Sequence, residues 1–270
     1  MPLFKLKKVF EYCTSNKPVF LLVLFFLFVS NSANDFFMEC MKNYSLAGIP
    51  VIIILIFLSG YGMLITRDRV NEGHELPKLM FKDLLVLGIK AMIVYGIFFV
   101  LQYYILYFTS NIFDFPFFDL EGLLWDFDQT INMFLVNEPL HSLEFVFIGG
   151  FVFYITTFFY EMGLAMLADT NSILSALNLV AIYKNIRIFG VRHYIVDYTS
   201  IVIAIFILTY LGSIQFQIFW FDSLLRTFFG VLVLATQYLG IGSIYAEVKH
   251  KTLYSTSSMA GHEKIFLIFL

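Results

Sequence analysis

A chain of 270 residues that is 60% hydrophobic and only 14% charged, with a mean hydropathy of +0.82, is far more apolar than a soluble domain. Soluble domains are about 45–50% apolar and about 25% charged, so this chain cannot cover its own apolar surface and the bilayer must be the solvent for much of it. The net charge of -3 and the lack of a basic patch argue against a nucleic-acid partner.

A spanning helix needs about 20 mostly apolar residues. Six segments qualify, at about 18–33, 46–65, 84–109, 142–167, 194–214 and 224–245. The expected fold is therefore an all-α polytopic bundle of about six transmembrane helices. It divides into a basic N-terminus (1–17), a single six-helix domain (18–247) and a tail (248–270). The first segment is short, follows Lys5, Lys7, Lys8 and Lys17, and ends in Ser30-Asn31-Ser32-Ala33. A retained helix is the preferred reading, and a cleaved signal peptide has the same pattern.

Lys and Arg accumulate on the cytoplasmic side of membrane proteins. With both termini cytoplasmic, one side carries Lys5, Lys7, Lys8, Lys17, Arg67, Arg69, Lys78, Lys82, Lys184, Arg187, Arg192, Lys249, Lys251 and Lys264. The other side carries Lys42 and, just inside the last helix, Arg226. Between Lys90 and Lys184 there are nine carboxylates and no Lys or Arg. The expected location is a cell membrane, with the chain crossing several times. Cys13 and Cys40 fall on opposite sides in this topology, which argues against a disulfide.

The link after the second span contains Gly73 and Leu76-Pro77. Proline ends a helix, glycine relieves the turn before it, and Lys78 to Lys82 are expected to restart a helix. The second cytoplasmic link, 169–193, offers Asp169, Thr170 and Asn171 as caps and Gly190 as a terminator. Ile173, Leu177, Val180 and Ala181 share one face, so an amphipathic surface helix is expected; a cytoplasmic extension of the fourth helix is the alternative. The outer loop 110–141 holds Asp114, Asp119, Glu121, Asp126, Asp128 and Glu138 among aromatics such as Trp125. A solvated acidic face along the membrane surface fits it better than a calcium loop. The segments "SGYGMLITRDR", "YEMGLAMLADT" and "LGIGSIYAEVK" each place small residues where helix backbones can approach in lipid.

The first link and the second carry a resemblance. Gly60-Tyr61, Gly73, Leu76-Pro77, Gly88 and Tyr95, then Leu174, Ala176, Ile182, Gly190 and Tyr194, and finally Gly242 and Tyr245, resemble the family called domain of unknown function 4013. The resemblance covers roughly 51–247. It implies an uncharacterised polytopic membrane protein of archaea or bacteria, with no assigned activity and no catalytic residue or cofactor to carry over. The sequence departs from the family pattern in placing the aromatic after Leu-Pro at Phe81 and in its long acidic loop.

Charged groups inside a bilayer are costly and usually paired or functional. Lys90 and Glu161 each lie about seven residues from the same end of consecutive helices, about 10 Å deep at 1.5 Å per residue. An ion pair between them is the sharp expectation, and a Lys90 stem snorkelling to the headgroups is the plain one. Glu144, Asp197 and His193 read as interfacial. No two histidines stand at i, i+4, and Asn43 to Ser45 form a glycosylation triplet that abuts the second span. No catalytic constellation, metal site or cofactor motif emerges. The expected role is a non-enzymatic membrane scaffold or accessory subunit, with a membrane protein or a second copy of the chain as partner. The alternative is a small oligomeric transporter or channel lined by Lys90, Glu161, Gln102 and Gln237. An intramembrane enzyme acting on lipid is a distant third.

Overall fold

The computed structural model describes residues 6–32, 49–113, 139–214, 216 and 219–266. Among them the chain is all-helical. The helices are α1 (Leu6–Thr14), α2 (Lys17–Ser32), α3 (Ile49–Val70), α4 (Phe81–Phe113), α5 (Pro139–Thr170), α6 (Ile173–Leu177), α7 (Leu179–Phe189), α8 (Val191–Gly212) and α9 (Phe219–Phe266). Four stretches are long and apolar enough to cross a membrane: Phe81–Thr109, Phe147–Thr170, Val191–Gly212 and Phe221–Thr252. A fifth arises if α1 and α2, bent by 102° at their junction, are taken as one broken span. Helix α3 is apolar up to Ile65 and then carries Arg67, Asp68 and Arg69 in its last turns.

Helices α3 and α9 form the centre. Helix α3 packs against α2, α4, α5 and α9, and α9 also packs against α1, α2, α5, α7 and α8. Glycines set the closest crossings, because they alone let backbone meet backbone in an apolar medium. A Cβ on Gly60 would lie 2.0 Å from the Leu84 carbonyl oxygen, and one on Gly88 would lie 2.1 Å from that of Ile56. The two glycines thus dock α3 on α4 reciprocally. Gly62 lies under the Tyr238 ring, and a Cβ on Gly242 would stand 3.0 Å from the Thr66 carbonyl. Polar ties reinforce the α3–α9 contact: Thr66 Oγ1 donates to the Tyr238 carbonyl at 3.1 Å and Arg69 Nε to Ser243 Oγ at 2.9 Å. Gly163 in α5 faces the Ala176 carbonyl of α6 in the same way. All three small-residue stretches therefore lie at close packing contacts.

Several local expectations are corrected. The basic N-terminus contains a helix, α1, whose buried Val9, Tyr12 and Cys13 share one face while Lys7, Lys8 and Glu11 are exposed. In the α3–α4 link the left-handed residue is Glu72 (φ 64°), not Gly73. Gly73 is needed for another reason: a Cβ there would strike the Asp68 carboxylate. Helix α4 begins at Phe81, not Lys78, with the Met80 carbonyl accepting from Leu84 N. Leu76 is buried and its amide is held by Ser15 Oγ at 2.9 Å, while the Pro77 carbonyl accepts a long bond from Tyr61 at 3.4 Å.

The second link also differs. Asp169 and Thr170 end α5, and Asn171 (φ 57°) terminates it in the left-handed region rather than capping a new helix. Ser172 caps α6 and Asn178 caps α7, the latter by accepting from Ala181 N at 3.0 Å. The break between α6 and α7 shifts the helical phase. Val180 is 79% exposed, while Ile173, Leu177 and Ala181 are half-buried, and the face packed against the bundle is Ala176, Ile182, Ile186 and Phe189. Gly190 does end α7, with φ 106°. Helix α9 runs through the expected boundary at 247 to Phe266 without a break. Cys40, the Asn43 to Ser45 triplet, the acidic loop from 114 to 138 and the side chain of Glu144 lie outside the described residues.

Candidate functional site

Glu161 is the one buried carboxylate among the described residues, 7% exposed in the apolar interior of α5. Gln237, on the facing side of α9, donates from Nε2 to Glu161 Oε1 at 2.6 Å. Among the described residues the second oxygen, Oε2, has no hydrogen-bond partner, and neither does Thr236 Oγ1 beside Gln237 in the chain. Four phenols, those of Tyr160, Tyr194, Tyr198 and Tyr238, lie within electrostatic reach of the carboxyl. Two of them are turned elsewhere: Tyr194 donates to the Phe158 carbonyl and Tyr198 to Thr157 Oγ1, each at 2.8 Å. Burying a carboxyl in an apolar bundle is costly unless it is hydrogen-bonded. Gln237 meets half of that need. The remaining oxygen can accept one more hydrogen bond.

The expected Lys90–Glu161 ion pair is not formed. Lys90 Nζ donates instead to the Asn171 carbonyl at 2.8 Å and to Asn171 Oδ1 at 2.9 Å. The reason is the lysine stem, which carries the ammonium away from its own backbone height to the end of α5. There the charge meets the free carbonyls and the negative pole of that helix. Glu161 lies ten residues further along α5, about 15 Å away along its axis. Of the four residues expected to line a polar path, Glu161 and Gln237 meet. Lys90 does not join them, and Gln102 makes no hydrogen bond to a described residue.

Lys90 belongs to a second cluster that gathers the ends of α3 and α5 against the middle of α9. Lys249 Nζ pairs with Asp169 at 2.8 Å and reaches Asn71 Oδ1 at 3.5 Å. His250 pairs with Glu72. Lys251 pairs with Glu247 at 2.9 Å and caps α7 by donating to the Phe189 carbonyl at 3.0 Å. A pocket of about 210 Å³ opens here, lined by Val70, Asn71, Glu72, Ala246, Lys249 and His250. Tyr12 of α1 donates to Asp68 Oδ2 at 3.1 Å. Burial pushes the Asp68 carboxyl above its ordinary value, and the Tyr12 bond opposes that rise. Among the described residues no group of three or more His, Cys, Asp or Glu side chains is placed to hold a metal ion.

The residues that carried the resemblance serve packing and turns. Tyr61, Ala176, Ile182 and Tyr194 are buried, while Leu174 is 81% exposed and Tyr95 stacks on Phe99 and meets Tyr160 edge-on at the helix surface. Phe81, also exposed, meets Phe57 edge-on at 5.8 Å. His193 and Asp197 sit in the first turns of α8, the former exposed and the latter half-buried. The partner roles of Gln237 and Asn171 were readable only in part. A glutamine inside the apolar run of α9 is a signal in itself, whereas nothing in the spacing assigns Asn171 to Lys90.

Among the described residues the chain is all-helical, with four or five helices able to cross a membrane and one buried carboxyl between two of them. The chain belongs to the family described as protein of unknown function (DUF4013), whose sequence model matches residues 44–216. The match runs from five residues before α3 to four residues past α8, so Gly242 and Tyr245 in α9 fall beyond it. No curated protein and no solved structure matches the chain.

Proposed function

We propose that this protein is a non-enzymatic integral membrane component, a scaffold or accessory subunit, with six spans and both termini on the cytoplasmic face of a cell membrane. To the four long apolar helices the proposal adds α2 and α3. The observation that carries it is how the intramembrane polar groups are used. Gln237–Glu161 ties α5 to α9, Thr66–Tyr238 ties α3 to α9, and Lys90 caps α5. Each joins helices, which is the use polar side chains most often have in lipid. The outward flanks of α4, α5 and α8 are apolar, with Ile93, Val100, Phe151, Ile203 and Phe206 all exposed. Lipid or the helices of a partner, a membrane protein or a second copy, would cover them. Orientation follows from the cations gathered at the α3–α5–α9 cluster. Native mass spectrometry of the tagged protein, extracted gently from its own membrane, tests the role. A second protein at fixed stoichiometry is the expected result. A chain that carries only lipid, or only copies of itself, contradicts the subunit reading.

A second reading, a small transporter or channel, has one observation in its favour: the unpartnered Oε2 of Glu161. It requires that a path reach this oxygen from both faces of the bundle.

A further inference from the structure

The cations at the polar end of the bundle differ in how they are held. Arg69, Lys90, Lys249 and Lys251 are all bound to protein groups. Lys184, Arg187 and Arg192 are exposed, and none makes a hydrogen bond or ion pair to a described residue. These three are not scattered. Helix α7 buries Ile182, Ile186 and Phe189 against the bundle. The helical period then places Val180, Tyr183, Lys184 and Arg187 on the opposite, outward stripe. Val180 is 79% and Tyr183 54% exposed, and Leu179 beside them 48%. One residue past the Gly190 turn, α8 opens with Val191 and Arg192, followed by the exposed apolar Ile195 and Val196. Since α8 is one of the helices long and apolar enough to span, its first turn marks a bilayer boundary.

An outward stripe that mixes apolar side chains with unpaired cations, set where a spanning helix begins, matches the interface in both chemistry and depth. Apolar groups enter the acyl boundary and the cations meet phosphate. Two acids lie near. Glu247 is already held by Lys251, and Asp197 stands one turn beyond His193, so the surface keeps a positive excess. We propose that α7 and the first turn of α8 form a binding surface for the phosphate of anionic phospholipid headgroups. Lys184, Arg187 and Arg192 supply the charge, and Val180 and Tyr183 supply the apolar anchor. The inference depends on α8 crossing the bilayer and not on whether the protein is a subunit or a transporter.

The full chain is reconstituted in nanodiscs of equimolar phosphatidylcholine and phosphatidylglycerol, then stripped with mild detergent, and the retained lipids are quantified by mass spectrometry. The wild-type protein retains phosphatidylglycerol in excess. Neutralising Lys184→Gln, Arg187→Gln and Arg192→Gln lowers that preference, by about fivefold for each charge removed. The charge-preserving set Lys184→Arg, Arg187→Lys and Arg192→Lys keeps it, which separates loss of charge from loss of fold. An absent preference in the wild-type protein, or a preference that survives neutralisation, overturns the proposal.

Discussion

Gln237 of α9 and Glu161 of α5 are joined by a hydrogen bond of 2.6 Å inside the bundle, and the other oxygen of that carboxyl has no partner among the described residues. The pair holds together two helices far apart in the chain. Gln237→Leu leaves Glu161 buried with no donor and should cost about 1–2 kcal/mol, within the range for interhelical bonds in membranes and for orphaned buried polar groups. Replacing both, Glu161→Leu with Gln237→Leu, removes the orphan as well and should recover most of that loss. Thermal unfolding in a single detergent measures both.

Gly60 and Gly88 hold α3 and α4 at backbone contact. Alanine at either position pushes a methyl group to about 2 Å from a carbonyl oxygen, and backbone cannot yield as a flexible side chain can. Gly60→Ala and Gly88→Ala should each cost about 2–3 kcal/mol, the upper range for overpacking, and lower the yield of folded protein. Gly96 in the same helix has nothing within 4 Å of its added Cβ. Gly96→Ala should be neutral, or stabilising by up to about 1 kcal/mol through helix propensity. Equal losses at all three positions would show that the crossing is not as described.

Lys90 and Glu161 have separate partners, so their effects should add. Lys90→Met removes two hydrogen bonds at the end of α5, and Glu161→Gln perturbs the bond to Gln237. The double variant should equal the sum of the singles within about 0.5 kcal/mol, as for sites that share no partner. A coupling beyond about 1 kcal/mol would restore the direct pair.

Helix α1 and the residue after it are fastened to the end of α3 and to the α3–α4 link. Ser15 Oγ holds the Leu76 amide, and Tyr12 holds Asp68. Ser15→Ala strands a backbone N–H beside a buried leucine and should cost about 1 kcal/mol. Limited proteolysis should show faster cleavage near 15–17 in that variant and an unchanged rate in the α6–α7 region.

What the sequence made legible is what the bilayer dictates. Length and apolarity marked every long helix, because a backbone in lipid has few alternatives to the helix. The small-residue stretches announced close contacts, and Gly60 and Gly88 make them. Partner choice was not legible. It depends on how each helix rotates about its axis, which an apolar run with no polar face does not encode. The Lys90–Glu161 pairing was misjudged because similar backbone depth was taken for similar charge depth, and a lysine stem breaks that equivalence. The break at Asn178, which divides the second link into two helices, was not visible in the count of residues. Helix α1 was hidden by its charges, although Val9, Tyr12 and Cys13 carry its helical period.

The central claim is that the buried polar groups tie helices together and do not line a path. Proton flux into vesicles bearing the purified protein tests it most directly, with Glu161→Gln beside the wild type and unfolding temperature recorded for both. The account predicts no flux above empty vesicles from either protein, and a lower unfolding temperature for the variant. Wild-type flux that Glu161→Gln abolishes, with the unfolding temperature unchanged, would contradict it and make Oε2 of Glu161 part of a transport pathway.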